Sequence, residues 1–290
     1  MTYQGRIIKG IGGFYYVDTA EGIIECRARG IFRKEKITPL VGDLVQISVD
    51  EVSKTGAVEE ILPRKNVLLR PPVANVTQMA VVVATANPRP NLLLLDKLIA
   101  SAEYADIRPL ICWNKTDIES GEELAELYEN AGFDVLLLSA ETGQKVEELK
   151  EKLKDEVTVF AGNSGVGKSS LLNRIFGTEA FATGDVSARV ERGKHTTRHS
   201  ELAALPFGGY IIDTPGFGSF DLSLLAPENV AELFREFGDY TQGCRFRDCS
   251  HTVEKGCQVL EAVADGKIAK SRHESFCALV QEIREANKRK

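Results

Sequence analysis

Two short motifs in this 290-residue chain have the residue types and spacing needed to bind a guanine nucleotide. The tetrapeptide NKTD at 114–117 follows an apolar run of strand type, and its Asp carboxylate can accept hydrogen bonds from both donors on the guanine edge. The run GNSGVGKSS at 162–170 lies between a predicted strand and a predicted helix, which is the context that a phosphate loop requires. We therefore predict a GTP site.

The phosphate loop and a later turn together predict a magnesium site. The loop glycines let backbone N–H groups surround phosphates at a helix N-terminus. Lys168 would reach the β- and γ-phosphates, and the Ser169 hydroxyl would bind Mg²⁺. The run DTPG ends a predicted strand, so Asp213 would hold Mg²⁺ through water and the Gly216 N–H would sense the γ-phosphate.

The order of these motifs along the chain is unusual. In most GTPases the guanine motif lies well downstream of the phosphate loop, whereas here it precedes it. The run SAE at 139–141 resembles the second guanine-contacting loop and also comes first. A circular permutation, with the chain cut before the strand at 79 and the old ends joined through a helix at 145–153, keeps every motif at the C-terminal edge of one sheet. The residues predicted to bind GTP are Asn114, Lys115, Thr116, Asp117, Ser139, Ala140, Gly162, Asn163, Ser164, Gly165, Val166, Gly167, Lys168, Ser169, Ser170 and Gly216.

The residue after DTPG bears on the hydrolysis step. Many GTPases place a Gln there to orient the attacking water, but this chain has Phe217, which cannot do so. His195, beside two threonines, is a candidate for that role together with Lys168 as a catalytic cation. The alternative, that His195 is a surface loop histidine, stays open.

A cysteine and histidine cluster predicts a second metal site. Three thiolates and one imidazole within fourteen residues suit a closed tetrahedral Zn²⁺ site of structural type. The alternative is a group of buried, reduced cysteines. The candidate ligands are Cys244, Cys249, His251 and Cys257, whereas Cys26, Cys112 and Cys277 are scattered and are interpreted as core residues.

The elements that must position these residues fall into three predicted domains. Short alternating strands over 1–70 predict a β-barrel, of OB-fold or SH3-like type, and a proline-containing stretch after it is interpreted as a linker. Strands alternating with helices over 71–221 predict an α/β domain. Residues 222–290 predict a mainly α domain around the zinc ligands, whose last helix places Phe276, Leu279, Val280 and Ile283 on one face.

Composition limits the location and the partners. The chain has no run of eighteen apolar residues and no signal-peptide core, so a cytoplasmic location without membrane contact is expected. The formal net charge of −6 would not steer the whole protein to nucleic acid. Contact with RNA would need a local patch, and the densest one is CRARGIFRKEK at 26–36, for which a solvated loop is the alternative interpretation.

Taken together, the barrel, the permuted motifs and the run CRFRDCSHTVEKGC resemble the ribosome small-subunit biogenesis GTPase family, RsgA, over essentially the whole chain. The resemblance implies an OB-fold barrel, one zinc ion, slow GTP hydrolysis stimulated by the 30S subunit, contact with its rRNA, and a role in late 30S maturation. It also implies that Thr197 is the switch threonine that binds magnesium, and a monomer is expected. Whether hydrolysis times release from the 30S particle or is incidental to a GTP-gated binding module stays open.

Overall fold

A computed structural model describes residues 1–50, 55–69, 72–177, 201–213 and 225–288. The chain forms two compact units whose segments interleave along the sequence. The first unit comprises 1–78, 147–160 and 172–217, and the second comprises 79–146, 161–171 and 218–290. Within the described residues, no helix has the length and apolar character that crossing a membrane would require.

The N-terminal strands of the first unit close into a barrel. They are β1 (Thr2–Ile11), β2 (Phe14–Thr19), β3 (Gly22–Ala28), β4 (Leu44–Val49) and β5 (Gly56–Ile61), with the short helix α1 (Gly30–Lys34) after β3. The pairing order is β1–β2–β3–β5–β4, and β4 returns to pair with β1, so the sheet has no free edge within the barrel. Ile7, Val17, Val45, Ile47 and Val58 fill its interior and are fully buried. This is the five-stranded Greek-key barrel of an OB-fold.

The stretch after the barrel contains regular structure, contrary to the interpretation as a plain linker. It forms an antiparallel pair of short strands, β6 (Val67–Leu69) and β7 (Pro72–Ala74). The Arg64 guanidinium binds both carboxylate oxygens of the buried Asp43 at 2.7 Å, and Asn66 exchanges two hydrogen bonds with the backbone of Val76. These side-chain contacts attach the stretch to the barrel, and Pro72 is tolerated because it begins an edge strand.

The first unit also carries part of the α/β sheet. Helix α4 (Val146–Leu153) leads into β11 (Val157–Ala161), which pairs in parallel with β13 (Tyr210–Asp213). Strand β12 (Glu201–Ala204) pairs antiparallel with β13 and, on its other side, with β1 of the barrel. The barrel sheet therefore continues into the α/β sheet through β12.

The second unit contains the remaining part of the α/β fold. Its elements are β8 (Gln78–Ala84), α2 (Leu92–Tyr104), β9 (Arg108–Asn114), α3 (Glu122–Asn130) and β10 (Asp134–Leu137), with strand order β10–β9–β8. All seven residues of β8 are buried, as expected for a strand covered on both faces. Helix α5 (Lys168–Phe176) begins at the end of the phosphate loop. The strands and helices predicted from sequence over this part of the chain are confirmed.

The C-terminal part of the second unit is a cluster of helices that packs against α2. The region predicted to be mainly α begins with two 3₁₀ segments, Pro227–Leu233 and Arg235–Phe237, which the extended backbone of Phe234 separates. That break lets both Phe234 and Phe237 enter the core beside Phe276. Short α6 (Gly238–Thr241), α7 (Gln258–Ala264) and the long α8 (Lys270–Lys288) follow, and the predicted buried face of α8 is confirmed.

Candidate guanine-nucleotide and metal sites

The phosphate loop connects β11 to α5 and requires glycine at its two ends. At Gly162 the backbone φ is +139°, and a Cβ there would lie 2.2 Å from the carbonyl oxygen of Val82. At Gly167 the φ is +96°, and a Cβ would lie 2.2 Å from Asn114 Nδ2. Any side chain would therefore collide with a neighbouring strand end, so both glycines are needed for the loop to lie this close to β8 and β9.

The loop presents its polar groups at the start of α5. Lys168 Nζ donates to the carbonyl oxygens of Gly162 (2.8 Å) and Asn163 (2.7 Å), which keeps the ammonium over the loop. Asn163, Ser164 and Gly165 are exposed, whereas Val166 and Ser169 are buried. The arrangement combines a cation with the N-terminus of a helix, and both favour phosphate.

Asn114 joins the predicted guanine motif to the two loops beside it. Its buried side chain donates from Nδ2 to the Val166 carbonyl at 2.8 Å, and its Oδ1 accepts from the Ala140 N–H at 2.9 Å. The Asn114 side-chain amide therefore fixes the positions of the phosphate loop and of the loop after β10 relative to the end of β9. The three loops that the sequence assigned to one site are brought together.

Asp117 and Lys115 lie on the exposed side of this junction. The Ser139 hydroxyl donates to Asp117 Oδ1, and it also accepts from the Thr142 N–H at 3.2 Å. Lys115 has a left-handed backbone, with φ of 70°, and its Nζ donates to the Asn87 carbonyl. Thr116 donates its N–H to the Leu138 carbonyl at 3.3 Å. The carboxylate that would read guanine is thus held by the loop beside it.

Two residues that the sequence analysis did not predict, Thr85 and Gln144, also contact the NKTD motif. The Thr85 N–H donates to the Asn114 carbonyl and its hydroxyl donates to the Lys115 carbonyl, both at 2.9 Å. The Thr116 hydroxyl lies 3.5 Å from Gln144 Oε1. These contacts involve backbone atoms and separate loops, so residue spacing alone offers no signal for them.

Several predicted site residues fall outside the described part of the chain. These are His195, Thr197 and Gly216, together with Phe217. Asp213 is the last residue of β13, and its side chain also lies outside the described set. Their roles in binding magnesium or in hydrolysis therefore remain predictions. Ser170 lies in the first turn of α5, directly after Ser169.

The four predicted metal ligands converge in the second unit. One ligand atom from each of Cys244, Cys249, His251 and Cys257 lies within 4.8 Å of all the others. The Cys244 and Cys257 sulfurs are 3.8 Å apart, and each is 3.5 Å from His251 Nδ1. Tetrahedral zinc, with bonds of about 2.3 Å to sulfur and about 2.05 Å to nitrogen, would separate its ligands by about 3.8 Å (S–S) and about 3.5 Å (S–N). The donor set fits one tetrahedral ion.

The loop that carries these ligands is held by its own hydrogen bonds. Glu254 accepts from the backbone N–H groups of Ser250, Thr252 and Val253 at 3.0 to 3.1 Å. Although burial alone raises it, the hydrogen bonds from the Ser250 hydroxyl and from the backbone N–H groups of Val253 and Ser250 lower the pKa of Glu254 to about 2. Burial raises the pKa of the Cys249 thiol to about 12, so a bound cation is what would favour its thiolate.

Family comparison covers nearly the whole chain. A family model described as "RsgA GTPase" matches residues 61–223, and one described as "RsgA N-terminal domain" matches residues 4–58. A protein named "Small ribosomal subunit biogenesis GTPase RsgA", from Caldanaerobacter subterraneus subsp. tengcongensis, is 48% identical over 99% of this chain and 98% of its own length. The protein of the same name from Ruminiclostridium cellulolyticum is 46% identical over 97% of this chain and 94% of its own length.

Solved structures agree with the arrangement described above. A crystal structure of YloQ, described as a circularly permuted GTPase, has a TM-score of 0.83 and 35% identity over 98% of this chain and 96% of its own. The crystal structure of YjeQ from Thermotoga maritima has a TM-score of 0.84 and 35% identity, with 98% and 99% of the two chains covered. The predicted fold class is confirmed: an N-terminal barrel, a central permuted GTPase domain and a C-terminal region with a cysteine and histidine cluster that could hold a metal ion.

Proposed function

This chain belongs to the RsgA family of GTPases, and from that premise we propose that it is a GTP-hydrolysing assembly factor of the small ribosomal subunit. It binds the 30S particle in the cytoplasm, acts late in its maturation, and leaves when GTP is hydrolysed. The names of its relatives support the small subunit as the partner. It acts as a monomer and needs no membrane.

The observation that carries the nucleotide assignment is the pair of hydrogen bonds made by Asn114. They hold the base-reading tetrapeptide against the phosphate loop on one side and against Ala140 on the other. An adenine nucleotide would present its N1 acceptor to the Asp117 carboxylate where guanine presents its N1–H donor, so two acceptors would face each other without a hydrogen bond. The site therefore selects GTP and GDP.

Each residue of the site then has its own role in binding and hydrolysing GTP. The loop N–H groups and Lys168 neutralise the β- and γ-phosphates, and the Asp117 carboxylate fixes the base. Ser169, Thr197 and Asp213 would hold Mg²⁺, which when bound would neutralise part of the phosphate charge. His195 would position the attacking water, because Phe217 cannot accept its proton or orient it.

The C-terminal cluster binds one zinc ion as a structural centre. Four protein ligands leave no position open for water, so the ion holds the 244–257 loop and takes no part in hydrolysis. The separations of the sulfur and nitrogen atoms support this assignment.

The basic stretch of the barrel contacts rRNA. The cations proposed for this contact are Arg27, Arg29, Arg33, Lys34 and Lys36. The side chain of Arg33 lies outside the described set, and the other four are exposed at the end of β3 and around α1, which give the stretch regular structure. Arg29 already pairs with Glu59 at 2.9 Å, and Arg27 lies over the Phe14 ring at 4.5 Å. Lys34 and Lys36 are therefore the residues that we expect to contribute most to neutralising rRNA phosphates.

A second function is also compatible with Phe217, because a protein that does not depend on hydrolysis has no need of a water-orienting Gln at this position. In that alternative the protein is a GTP-gated binding module, in which nucleotide occupancy sets affinity for the particle and hydrolysis is incidental.

One set of measurements tests these proposals. The purified protein should hydrolyse GTP slowly alone and faster with 30S subunits, and Lys168→Ala should abolish both. His195→Ala should bind GTP and 30S but fail to release, whereas normal release without hydrolysis would favour the binding module. Absence of any 30S effect on wild-type hydrolysis would contradict the proposed function.

A further inference from the structure

An exposed arginine lies beside the phosphate loop and has no role in the site described so far. Arg89 lies in the segment 85–91, between β8 and α2. Among the residues that the structure describes, it has no hydrogen-bond or ion-pair partner. A guanidinium with no partner near an anion-binding loop is available to a ligand.

The segment that carries Arg89 is fixed to the nucleotide site at several points. At its start, Thr85 donates to the Asn114 and Lys115 carbonyls, and in its middle Asn87 accepts from Lys115 Nζ. At its end, Asn91 Oδ1 accepts from the Leu94 N–H at 3.0 Å and so caps α2. The backbone around Arg89 is therefore positioned by the guanine motif itself.

The same segment lies against the tip of the phosphate loop. Pro88 Cδ is 3.8 Å from the position that a Cβ on Gly165 would occupy. Arg89 and Pro90 line a small cavity together with Gly162 and Asn163. Prolines on both sides of Arg89 restrict the backbone, so little backbone entropy is lost when the residue contacts a ligand.

Hydrolysis of GTP builds up negative charge around the transferred phosphoryl group, and a cation beside it, in addition to Lys168, would stabilise that charge. The water oxygen forms a bond to the γ-phosphorus while the bond from that phosphorus to the β–γ bridging oxygen breaks. GDP leaves, the proton of the water passes to the phosphate product, and negative charge grows on the bridging oxygen. An arginine that reaches this oxygen stabilises the transition state more than bound GTP.

We propose that Arg89 is a catalytic arginine supplied in cis, which contacts the transferred phosphoryl group in the transition state. This inference rests on the proposed GTP hydrolysis and concerns the reaction of the protein alone, without ribosomes. It predicts a loss in the chemical step and little change in nucleotide affinity.

Single-turnover hydrolysis at saturating GTP tests the proposal in Arg89→Ala, Arg89→Lys and the control Arg284→Ala, which removes an exposed arginine from α8. We expect Arg89→Ala to lower the rate constant at least about tenfold, since arginines in this role contribute up to about 10³–10⁵ in related reactions. Arg89→Lys should recover part of the rate, and Arg284→Ala should match wild type. Dissociation constants for GTP and GDP should change by less than about threefold in every variant, because ground-state binding is not affected.

Binding of GDP with magnesium and aluminium fluoride gives a second readout that a structural role would not change. Wild type and Arg284→Ala should form this transition-state mimic, and Arg89→Ala should fail to form it while still binding GDP. A wild-type rate in Arg89→Ala, or an equal loss of GTP and GDP affinity with the mimic still formed, would overturn the proposal. Absence of hydrolysis in wild type would instead count against the proposed function.

Discussion

The Tyr210 hydroxyl donates a hydrogen bond of 2.8 Å to Asp18 Oδ2 and so connects β13 of the α/β sheet to β2 of the barrel. The Arg6 guanidinium lies 5.6 Å from the centre of the Tyr210 ring and donates to the Gly42 carbonyl at 2.9 Å. Burial, followed by the hydrogen bond to Asp18 and its charge, raises the pKa of Tyr210 to about 12. The phenol therefore stays protonated, and able to donate, well above neutral pH.

A pH dependence of stability follows from that raised pKa. The unfolded phenol titrates near about 10, so the folded state holds the proton more tightly. The contribution of Tyr210 should be complete below pH ~10 and be lost as pH rises towards ~12. Urea unfolding of wild type and Tyr210→Phe at several pH values should show a stability difference that shrinks over this window. Tyr240→Phe is the control, and a constant difference across pH would contradict the assignment.

Guanine specificity should depend on Asp117. Its carboxylate is held by Ser139, and an amide in its place would leave one guanine donor unsatisfied and match xanthine instead. We expect Asp117→Asn to lose at least about tenfold in GTP affinity and to gain XTP binding. Asp265→Asn, at an exposed site, is the control. Unchanged nucleotide preference in Asp117→Asn would show that this motif does not read the base.

Zinc content should follow the four converging ligands and no other cysteine. Cys249→Ser and Cys257→Ser should lower bound zinc from one ion per chain to nearly none, since each removes a thiolate from a closed site. Cys277→Ser, a partly buried cysteine on α8, should keep its zinc. Metal analysis of the purified variants decides between these outcomes, and nucleotide affinity should change little. Zinc absent from the wild-type protein would end the assignment.

Arg272 should be the most sensitive charged residue of the second unit. Its buried guanidinium binds Asp96 at 2.6 Å and both oxygens of Glu236 at 2.6 and 3.1 Å. Arg272→Ala leaves two buried carboxylates without their partner, which should cost about 3–5 kcal/mol of unfolding free energy. Arg284→Ala, on the exposed side of the same helix, should change it by less than about 0.5 kcal/mol. Denaturant unfolding gives both values, and a small loss in Arg272→Ala would refute the prediction.

Sequence alone predicted the parts of the fold that depend on local pattern. The phosphate loop and NKTD were found because each motif is contiguous, and β8 because its residues are uniformly apolar. The hairpin after the barrel was missed because the contacts that hold it, Arg64 with Asp43 and Asn66 with Val76, join side chains to distant partners. The break at Phe234 was missed for a similar reason, since only its burial against Phe276 explains it.

Strand β12 pairs with β1 of the barrel on one side and with β13 on the other. Lys9 of β1 pairs with Glu201 of β12 in register, and their side chains form an ion pair of 3.0 Å. Glu201 follows Thr197 by four residues, and β13 ends three residues before Gly216. Thr197 and Gly216 are therefore close in sequence to the hairpin formed by β12 and β13. That hairpin contacts the barrel through Lys9 of β1, which pairs with Glu201, and through Tyr210 of β13, which pairs with Asp18.

We hypothesise that this contact couples GTP occupancy to the affinity of the barrel for 30S subunits. A tenfold preference for the GTP form corresponds to about 1.4 kcal/mol. An exposed ion pair contributes about 0.2–1 kcal/mol and a neutral hydrogen bond about 0.5–1.5 kcal/mol, so losing both could remove the preference. Lys9→Glu with Tyr210→Phe should therefore bind 30S about equally with GDP and with a non-hydrolysable GTP analogue.

A charge swap separates this coupling from a direct contact between Lys9 and rRNA. Adding Glu201→Lys to Lys9→Glu restores the ion pair with its charges exchanged, but it does not return a cation to position 9. If the pair transmits the nucleotide state, the swapped protein should regain most of the GTP preference in a 30S binding assay at fixed salt, because the register pair is again attractive. If Lys9 instead binds rRNA, both variants should lose affinity equally in the two nucleotide states, and the coupling hypothesis would be wrong.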